Sequence, residues 1–359
     1  MILFSFCVNG RLPDRTSSCA KARHLHLQRG LTMVELLVAL VISLLIALAA
    51  ISALVVTRQG FSTVDASSQL RDNGRFAADL IQRLGVQSGF KDFFYAAKPP
   101  TAAEIAANKA PNVFGFNNAT SSDSNPLNSS TARTAGSLGY GSDILILRYQ
   151  EAETAPGSGV SDRSMIDCMG NSSTGVPDTR DERMASILHV AESPAGSGEL
   201  ALMCSTVSSD GTISPNAQPI VQGVENFQVL YGTDGVTAAT APPTNPASAA
   251  ATMDTVPDKY LRANQLTVAG DAVGTNSNWR RVRSLRIGMV LRGPLNSAQD
   301  RVSQRLYPFG LGKASSGGTA GSALSDATND PGTVVDTPTD GRLRQVLSFT
   351  VHLRNDQGV

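Results

Sequence analysis

The sequence predicts an α+β fold, in which one long N-terminal helix precedes a β-rich globular head with long loops. Three observations lead to this class. Residues 36–56 carry no charge over 21 positions and are apolar except for two serines. Residues 57–88 contain no proline and repeat apolar residues at helical spacing. Further along, short apolar runs alternate with stretches rich in Gly, Ala, Ser, Thr, Asn and Pro.

Composition narrows the function classes. The 359 residues include 30 basic and 30 acidic ones, so the formal net charge is zero and the whole chain has no electrostatic footprint for nucleic acid. Charged residues make up 17% and aromatic residues 5% of the chain, fewer than a soluble enzyme with one dense core usually has. Because about 20 apolar residues span a bilayer, the 36–56 run excludes a purely cytosolic protein.

The residues before this run carry a motif. Residues 28–40 read QRGLTMVELLVAL, with Gly30, the hydrophobic Leu31, and Glu35 at the fifth position after Gly30. An ordinary secretory signal has an apolar core of only about 7–15 residues and a small-residue cleavage site, so it does not fit. The segment resembles the class III signal of type IV prepilins and pseudopilins, although Phe is commoner than Leu after the cut. This resemblance implies cleavage by the prepilin peptidase between Gly30 and Leu31, N-methylation of Leu31, and a role for Glu35 in subunit assembly.

The chemistry of Glu35 supports that interpretation. A charge at the centre of a membrane helix costs about 2.5–3.5 kcal/mol on insertion scales, and a position at the helix start reduces this cost. Cleavage after Gly30 would create an amine on Leu31, one helical turn from Glu35, and the two opposite charges could neutralise each other within a chain or between neighbours. The alternative is a glutamate that only extends its carboxylate to the membrane interface.

Charge also predicts the topology. Five basic residues and one acidic residue precede Gly30, and the positive-inside rule therefore places that end in the cytoplasm. Removing them leaves 25 basic and 29 acidic residues, a net charge of −4. We expect a leader at 1–30, the transmembrane half of the helix at 31–56, its amphipathic continuation at 57–90, and a periplasmic β-rich head at 91–359.

The helix should continue beyond the membrane. Phe76, Leu80 and Leu84 form one row at i, i+4 and i+8, with Ala77 and Ile81 beside it. About 55 helical residues at roughly 1.5 Å each would make a rod of about 80 Å, half in the membrane and half docked on the head.

Four segments extend the resemblance to PilW-type minor pilins. They are SQLRDNGRFAADLIQRLGVQSGF (68–90), GSDILILRY (141–149), VENFQVLYGTD (224–234) and WRRVRSLRIGMVLRG (279–293). Together they cover about a sixth of the chain. They separate it from the J-type pseudopilins of type II secretion, which share the N-terminus and are usually shorter. Taken singly, such segments are also ordinary amphipathic strands.

The strands of the head follow from period-two alternation. Leu285, Ile287, Met289 and Leu291 alternate with more polar or small residues, as do the residues from Leu347 to Leu353, and both segments predict half-buried strands. Residues 144–147 predict a short buried strand. The low-complexity stretches 96–135, 232–258 and 310–341 predict surface loops with partial disorder.

Cysteine usage predicts one disulfide. Cys7 and Cys19 lie in the leader, so Cys168 and Cys204 remain, an even number in an oxidising periplasm. Their bond would close a loop of about 36 residues and stabilise the fold by roughly 3–4 kcal/mol on the chain-entropy model. The alternative is a metal site that includes His189, although the sequence has no CxxC spacing.

The sequence shows no motif or residue pattern typical of a catalytic site. The sequence contains no GxSxG, HExxH or P-loop motif. Two of the four histidines are in the leader, and His189 and His352 lie in strand-like surroundings typical of packed or surface residues. The group Asp326, Asp330, Asp336 and Asp340 lacks the tight spacing of an EF-hand and predicts a solvated loop rather than a calcium site. We therefore expect no enzyme activity, no cofactor and no metal.

The basic segment from Trp279 to Arg292 has two interpretations. Arginines beside a tryptophan could bind DNA. The alternative, which we favour, is a strand whose arginines pair with acidic neighbours in a stack of pilins.

The resemblance implies a non-catalytic minor pilin that primes pilus assembly at the inner membrane and reaches the pilus tip. Its implied partners are other minor pilins, the major pilin, the prepilin peptidase acting on it as a substrate, the inner-membrane platform protein and a tip-associated adhesin; nucleic acid is not expected. The competing functions are a J-type minor pseudopilin of type II secretion and a tip pilin whose long loops bind DNA or a surface.

Overall fold

The computed structural model describes residues 30, 32–173, 175–214, 216–243, 254–310 and 330–355. The chain forms two units, 1–56 and 57–359. Helix α1 comprises Met33–Gln87. Among the described helices, it is the one that is long and apolar enough to cross a membrane. In the first unit its apolar side chains are exposed on all sides, as with Leu44 at 71% and Leu48 at 64%. Such a surface needs lipid or other apolar helices around it.

Within the second unit, one stripe of α1 packs on the head. Leu70, Ala77, Ile81 and Leu84 are almost completely buried. The predicted row was partly wrong, because Phe76 is 55% exposed and lies outside this stripe. The buried stripe instead passes through Gly74, which has no side chain and so lets the helix approach Leu347 and Leu291 of the sheet beneath.

The head contains two antiparallel sheets, which confirms the predicted α+β class. The five-stranded sheet has the order β1-β4-β5-β6-β7, and the four-stranded sheet has the order β13-β10-β8-β9. Their strands are β1 Val113–Phe116, β4 Ile144–Tyr149, β5 Met184–Glu192, β6 Leu200–Val207, β7 Gln218–Gln222, β8 Val224–Thr233, β9 Lys259–Leu261, β10 Val282–Arg292 and β13 Arg344–His352.

Smaller elements complete the described part of the head. They are helices α2 Phe93–Ala96, α3 Ala102–Ala106, α4 Ala263–Leu266 and α5 Ala272–Trp279, and strands β2 Ala119–Ser121, β3 Ser129–Ala132, β11 Arg305–Leu306 and β12 Val335–Asp336. The expectation that 96–135 is a surface loop was wrong. This stretch supplies β1, whose Val113 is fully buried, because a four-residue strand such as VFGF needs little sequence to enter a sheet.

Strand β10 also differs from its prediction. Its alternating pattern predicted one buried face, but nearly all of its residues are buried. The strand is central in its sheet, with β13 on one side and β8 on the other, over nine register positions on the β13 side. The less apolar side chains, including Ser284 and Arg292, are therefore enclosed by the loops that cover the second face.

One buried carboxylate joins the two sheets. Asp143, just before β4, accepts hydrogen bonds from the backbone N–H of Asn118 at 2.9 Å and of Val229 in β8 at 2.8 Å. Its own N–H donates to the carbonyl of Phe227 at 2.8 Å. Burial, and then the nearby Asp330, raise the pKa of Asp143 well above its usual range. Two of these three hydrogen bonds therefore link the start of β4 to β8, and the third holds the turn after β1.

Candidate processing and assembly site

Thr32 caps the N-terminus of helix α1. The backbone N–H of Glu35 donates to Thr32 Oγ1 at 3.3 Å and to the Thr32 carbonyl at 3.1 Å. Thr32 is therefore the N-cap of the helix, and Glu35 is its third helical residue. Sequence analysis did not identify Thr32, although the T-x-x-E spacing of a capping box was readable there.

Gly30 is exposed, and among the described residues no atom lies within 4 Å of the position that a Cβ would occupy. Leu31 lies outside the described residues. Cleavage between these two residues and methylation of Leu31 therefore stay predictions. A larger side chain at Gly30 would therefore not clash with the described part of the chain.

Glu35 lies in the first turn of α1, where the unpaired N–H groups of the helix favour a negative charge. The residues that follow it are apolar and open, with Leu36 at 52%, Leu37 at 59% and Leu40 at 58% exposure. A carboxylate at the head of such a surface has no polar surroundings once lipid or neighbouring helices cover it. It then needs a counter-charge at the same depth.

Cys168 and Cys204 form the expected disulfide, with their Cα atoms 5.8 Å apart. Cys204 lies in β6 and Cys168 in the loop between β4 and β5, and both are buried. The Cys168 N–H also donates to Ser186 Oγ at 3.1 Å, so this loop is held on β5 as well as on β6.

His189 does not join the cysteines. In the register of β5 and β6, Leu188 lies opposite Cys204, and neighbouring residues of a strand point to opposite faces. The buried ring has Nε2 3.4 Å from Ser205 Oγ. Burial, and then the charge of Arg133, lower the pKa of His189 to about 4. Among the described residues, no three His, Cys, Asp or Glu side chains form a group that could hold a metal ion.

The basic segment is used inside its own chain. Trp279 is completely buried and packs 4.6 Å from both Phe114 and Tyr231, measured between ring centroids. Arg283 Nε lies 3.3 Å from Asp234 Oδ2, in a pair whose side chains are 2% and 0% exposed. Arg292 lies 3.3 Å from Glu199. The acidic partners of Arg283 and Arg292 therefore belong to this chain, and the expectation of partners in adjacent pilins was wrong for these two arginines.

The aspartates of the 326–340 region are also distributed among arginines. Asp330 pairs with Arg262 at 3.3 Å and is buried, so the prediction of a solvated loop was wrong at this position. Asp336 pairs with Arg305 at 2.6 Å, and Asp340 with Arg344 at 2.7 Å. Asp326 lies outside the described residues. Each described aspartate of the group thus has a different cationic partner, which separates it from the others.

Comparisons with known proteins match two parts of the chain. A sequence profile described as type IV pilus-assembly protein W matches residues 187–355. A profile of the prokaryotic N-terminal methylation motif matches residues 25–51. Among solved structures, a type IV-like pilin from Thermus thermophilus is 14% identical, with 80% of this chain and 98% of that chain covered and a TM-score of 0.36. No curated protein sequence matches the chain. The two profiles cover the start of α1 and the head from β5 to β13.

Proposed function

We propose that the chain is a PilW-type minor pilin, a proposal supported by the family match of residues 187–355 and by the N-terminal methylation motif. In this role it primes the assembly of type IV pili at the inner membrane and stays at the pilus tip. Neither matched family is a family of enzymes, and the proposed role is structural. The observation that carries the proposal is the start of α1, where Glu35 stands in the first turn ahead of the apolar residues 36–56, whose large side chains are exposed.

In the proposed mechanism, the prepilin peptidase cuts after Gly30 and Leu31 becomes an N-methylated terminus. The new ammonium group lies one helical turn from Glu35. When α1 enters a bundle of pilin helices, Glu35 neutralises the ammonium group of a neighbouring subunit, which brings two charges into an apolar layer as a pair. The apolar side chains of residues 36–56 supply the rest of the contact.

The proposed topology places residues 1–30 in the cytoplasm and the head in the periplasm. The basic leader supports this orientation by the positive-inside rule. The disulfide of the head supports it as well, because such bonds persist in oxidising compartments. The partners in this scheme are other minor pilins, the major pilin, the platform protein of the inner membrane and a tip-associated adhesin.

Two features favour this role over its competitors. The match of residues 187–355 to the pilus-assembly family favours a pilus over a type II secretion system. The buried Trp279 and the internal pairs of Arg283 and Arg292 leave this basic segment unsuited to stacking on DNA bases, which weakens the proposal of a DNA-binding tip.

The test compares Glu35→Ala with Ser43→Ala in the full chain. The Glu35 N–H still reaches Thr32 in the alanine variant, so the helix start is kept, and loss of the carboxylate makes membrane insertion easier. Ser43 lies in the same apolar run, where its hydroxyl donates to the carbonyl of Leu40 at 2.9 Å. Removing one partner of a buried ion pair costs about 3–5 kcal/mol, equal to two or more orders of magnitude in incorporation.

We expect the Glu35→Ala protein to be cleaved and membrane-resident, to co-purify poorly with the other minor pilins, and to support few pili. The Ser43→Ala protein should behave as wild type. Normal co-purification and normal piliation by cleaved Glu35→Ala would refute charge pairing.

Cleavage has a separate test. Replacing Gly30 by Glu should block processing and leave a chain about 30 residues heavier on a gel. Because the Cβ position of Gly30 is open, the helix and head should be unaffected. A variant that migrates like the processed wild-type chain would refute the assigned cut.

A further inference from the structure

The edges of the two sheets differ in how well they are protected. Strand β9 has three residues and β1 has four, while β7 has five, contains Pro219 and carries a bulge in its pairing with β6. Strand β13 has nine residues, pairs with β10 without a register shift, and has no proline and no charge between 345 and 351. Short length, proline, charge and bulges are the usual means of blocking an edge strand. Strand β13 is long, and from residue 345 to 351 it has no proline, charge or bulge.

The register shows which backbone groups of β13 point away from its sheet. The N–H of Leu353 donates to the carbonyl of Arg283 at 2.9 Å, so these two residues form a hydrogen-bonded pair. Such pairs recur every second residue in an antiparallel ladder. The N–H and C=O groups of Val346, Ser348 and Thr350 therefore face outward, and within the described residues β13 ends the order of its sheet.

A positively charged groove runs beside this edge. Between α1 and β13 lies a cavity of about 240 Å³, lined by Arg71, Gly74 and Arg75 of the helix and by Gln345 and Leu347 of the strand. Both arginines are exposed. Within the part of the chain that the structure describes, neither guanidinium forms an ion pair with a carboxylate. The apolar floor at Leu347 and the two cations favour a segment that carries both apolar and acidic side chains.

We propose that the β13 edge binds an extended, acidic segment of another minor pilin, which adds as a strand beyond β13 with its carboxylates on Arg71 and Arg75. The outward N–H and C=O groups fit an extended backbone, and the two guanidinium groups select its acidic side chains. This inference rests on the proposed pilus role and deepens it, because it names the surface through which the head recognises its neighbour.

The experiment uses the full chain in cells that also express its fellow minor pilins. A photoreactive benzoylphenylalanine replaces Gln345 in the groove and, as a control, Gln218 on the opposite sheet edge. We expect an adduct from position 345 to another minor pilin, which peptide mapping places in an extended segment with Asp or Glu. The Gln218 position should not cross-link to that segment.

Two pairs of matched variants test the mode of binding. Ser348→Pro removes one outward N–H, which an edge strand tolerates, and should reduce the adduct about tenfold or more, whereas Ser348→Ala should leave it within about twofold. Arg71→Glu should reduce the adduct. The same change at Arg83, which is exposed and does not line the groove, should not. An oxidised disulfide and membrane retention would show that each variant is folded.

Several outcomes would overturn the proposal. These are an adduct that survives Ser348→Pro, an adduct only to a second copy of this chain, or a cross-link that maps to the partner's transmembrane helix. Absence of the adduct in cells where the wild-type chain still co-purifies with its minor pilins would also overturn it. That last result would leave the pilus role intact, since co-purification is tested through Glu35.

Discussion

The seating of α1 on the head can be tested by one chemical change at three glycines. At Gly85, an added Cβ would lie closer than 3.0 Å to Val351 Cγ1 and 3.5 Å from Val351 Cβ. At Gly74, it would lie 3.3 Å from Leu347 Cδ2 and 3.8 Å from Leu291 Cδ1. At Gly60, no atom lies within 4 Å. The three Gly→Ala variants therefore differ only in what the methyl group meets.

The magnitudes follow from two opposing effects. Alanine favours a helix over glycine by about 1 kcal/mol, which all three variants gain. Overpacking a core costs about 1–3 kcal/mol. Val351 is 1% exposed and β-branched, so it cannot easily turn away from the new methyl group. We expect overpacking at Gly85 to cost about 2–3 kcal/mol, the upper part of that range, because the contact is closer than 3.0 Å. After the helix gain of about 1 kcal/mol, Gly85→Ala should destabilise the head by about 1–2 kcal/mol. Gly74→Ala should be neutral or slightly stabilising because the partly exposed Leu347 can shift.

Thermal unfolding of the full chain in detergent provides the assay. Trp279 is the one tryptophan of the sequence and is fully buried in the head, so its fluorescence reports unfolding of that unit. At about 2–4 °C per kcal/mol, a loss of about 1–2 kcal/mol should lower the Tm of Gly85→Ala by about 2–8 °C. The Tm of Gly60→Ala should be unchanged or slightly raised.

A double-mutant cycle gives the decisive result. Val351→Ala removes the clash, so in the Gly85→Ala background it should cost at least about 1 kcal/mol less than it does alone. A Gly85→Ala variant that is as stable as Gly74→Ala, or a cycle without coupling, would refute the seating of α1 against β13.

Three further predictions concern the head. Cys168→Ala should lower its unfolding free energy by about 3–4 kcal/mol, measured by denaturant titration, and a reductant should then have no additional effect; an unchanged midpoint would contradict a stabilising bond. Asp234→Ala removes the carboxylate beside the buried Arg283 and should lower the free energy of unfolding by about 3–5 kcal/mol. Asp336→Ala breaks a pair with Arg305 that is more than half exposed and should lower it by at most about 1 kcal/mol. Equal losses for the two variants would contradict the difference in burial. The pKa of His189 is lowered to about 4 in the folded head, so below a pH of about 6.5 the unfolded chain binds a proton that the folded chain does not. The contribution of this ring to stability is therefore complete above pH 6.5 and falls by up to about 3 kcal/mol toward pH 4. His189→Gln should flatten this decline, and an unchanged pH profile of stability would show that the ring is not a buried neutral histidine.

Local signals were sufficient for much of the fold. The helix of residues 33–87 and strands β10 and β13 were readable because a helical period of 3.6 and a strand period of two involve neighbouring residues. Strand β4 was readable as a short apolar run. The glycine and glutamate of the processing motif were readable for the same reason, since their spacing is fixed along the chain. Short strands such as β1 were missed, because four residues carry too little pattern to be distinguished from a loop.

What each element faces could be decided only by the tertiary structure. The sequence by itself determined a charge-free apolar helix headed by Glu35, long enough to span a membrane, a helical continuation, and a β-rich head with two cysteines. It could not tell that Phe76 is exposed while Gly74 lies on the sheet, because both belong to the same helical pattern. It also could not assign partners to the arginines. Arg344 pairs with Glu225, 119 residues away, and Arg342 with Glu199, 143 residues away. Contacts at such separations depend on how the two sheets and the helix pack together. They cannot be predicted from the pattern of neighbouring residues in the sequence.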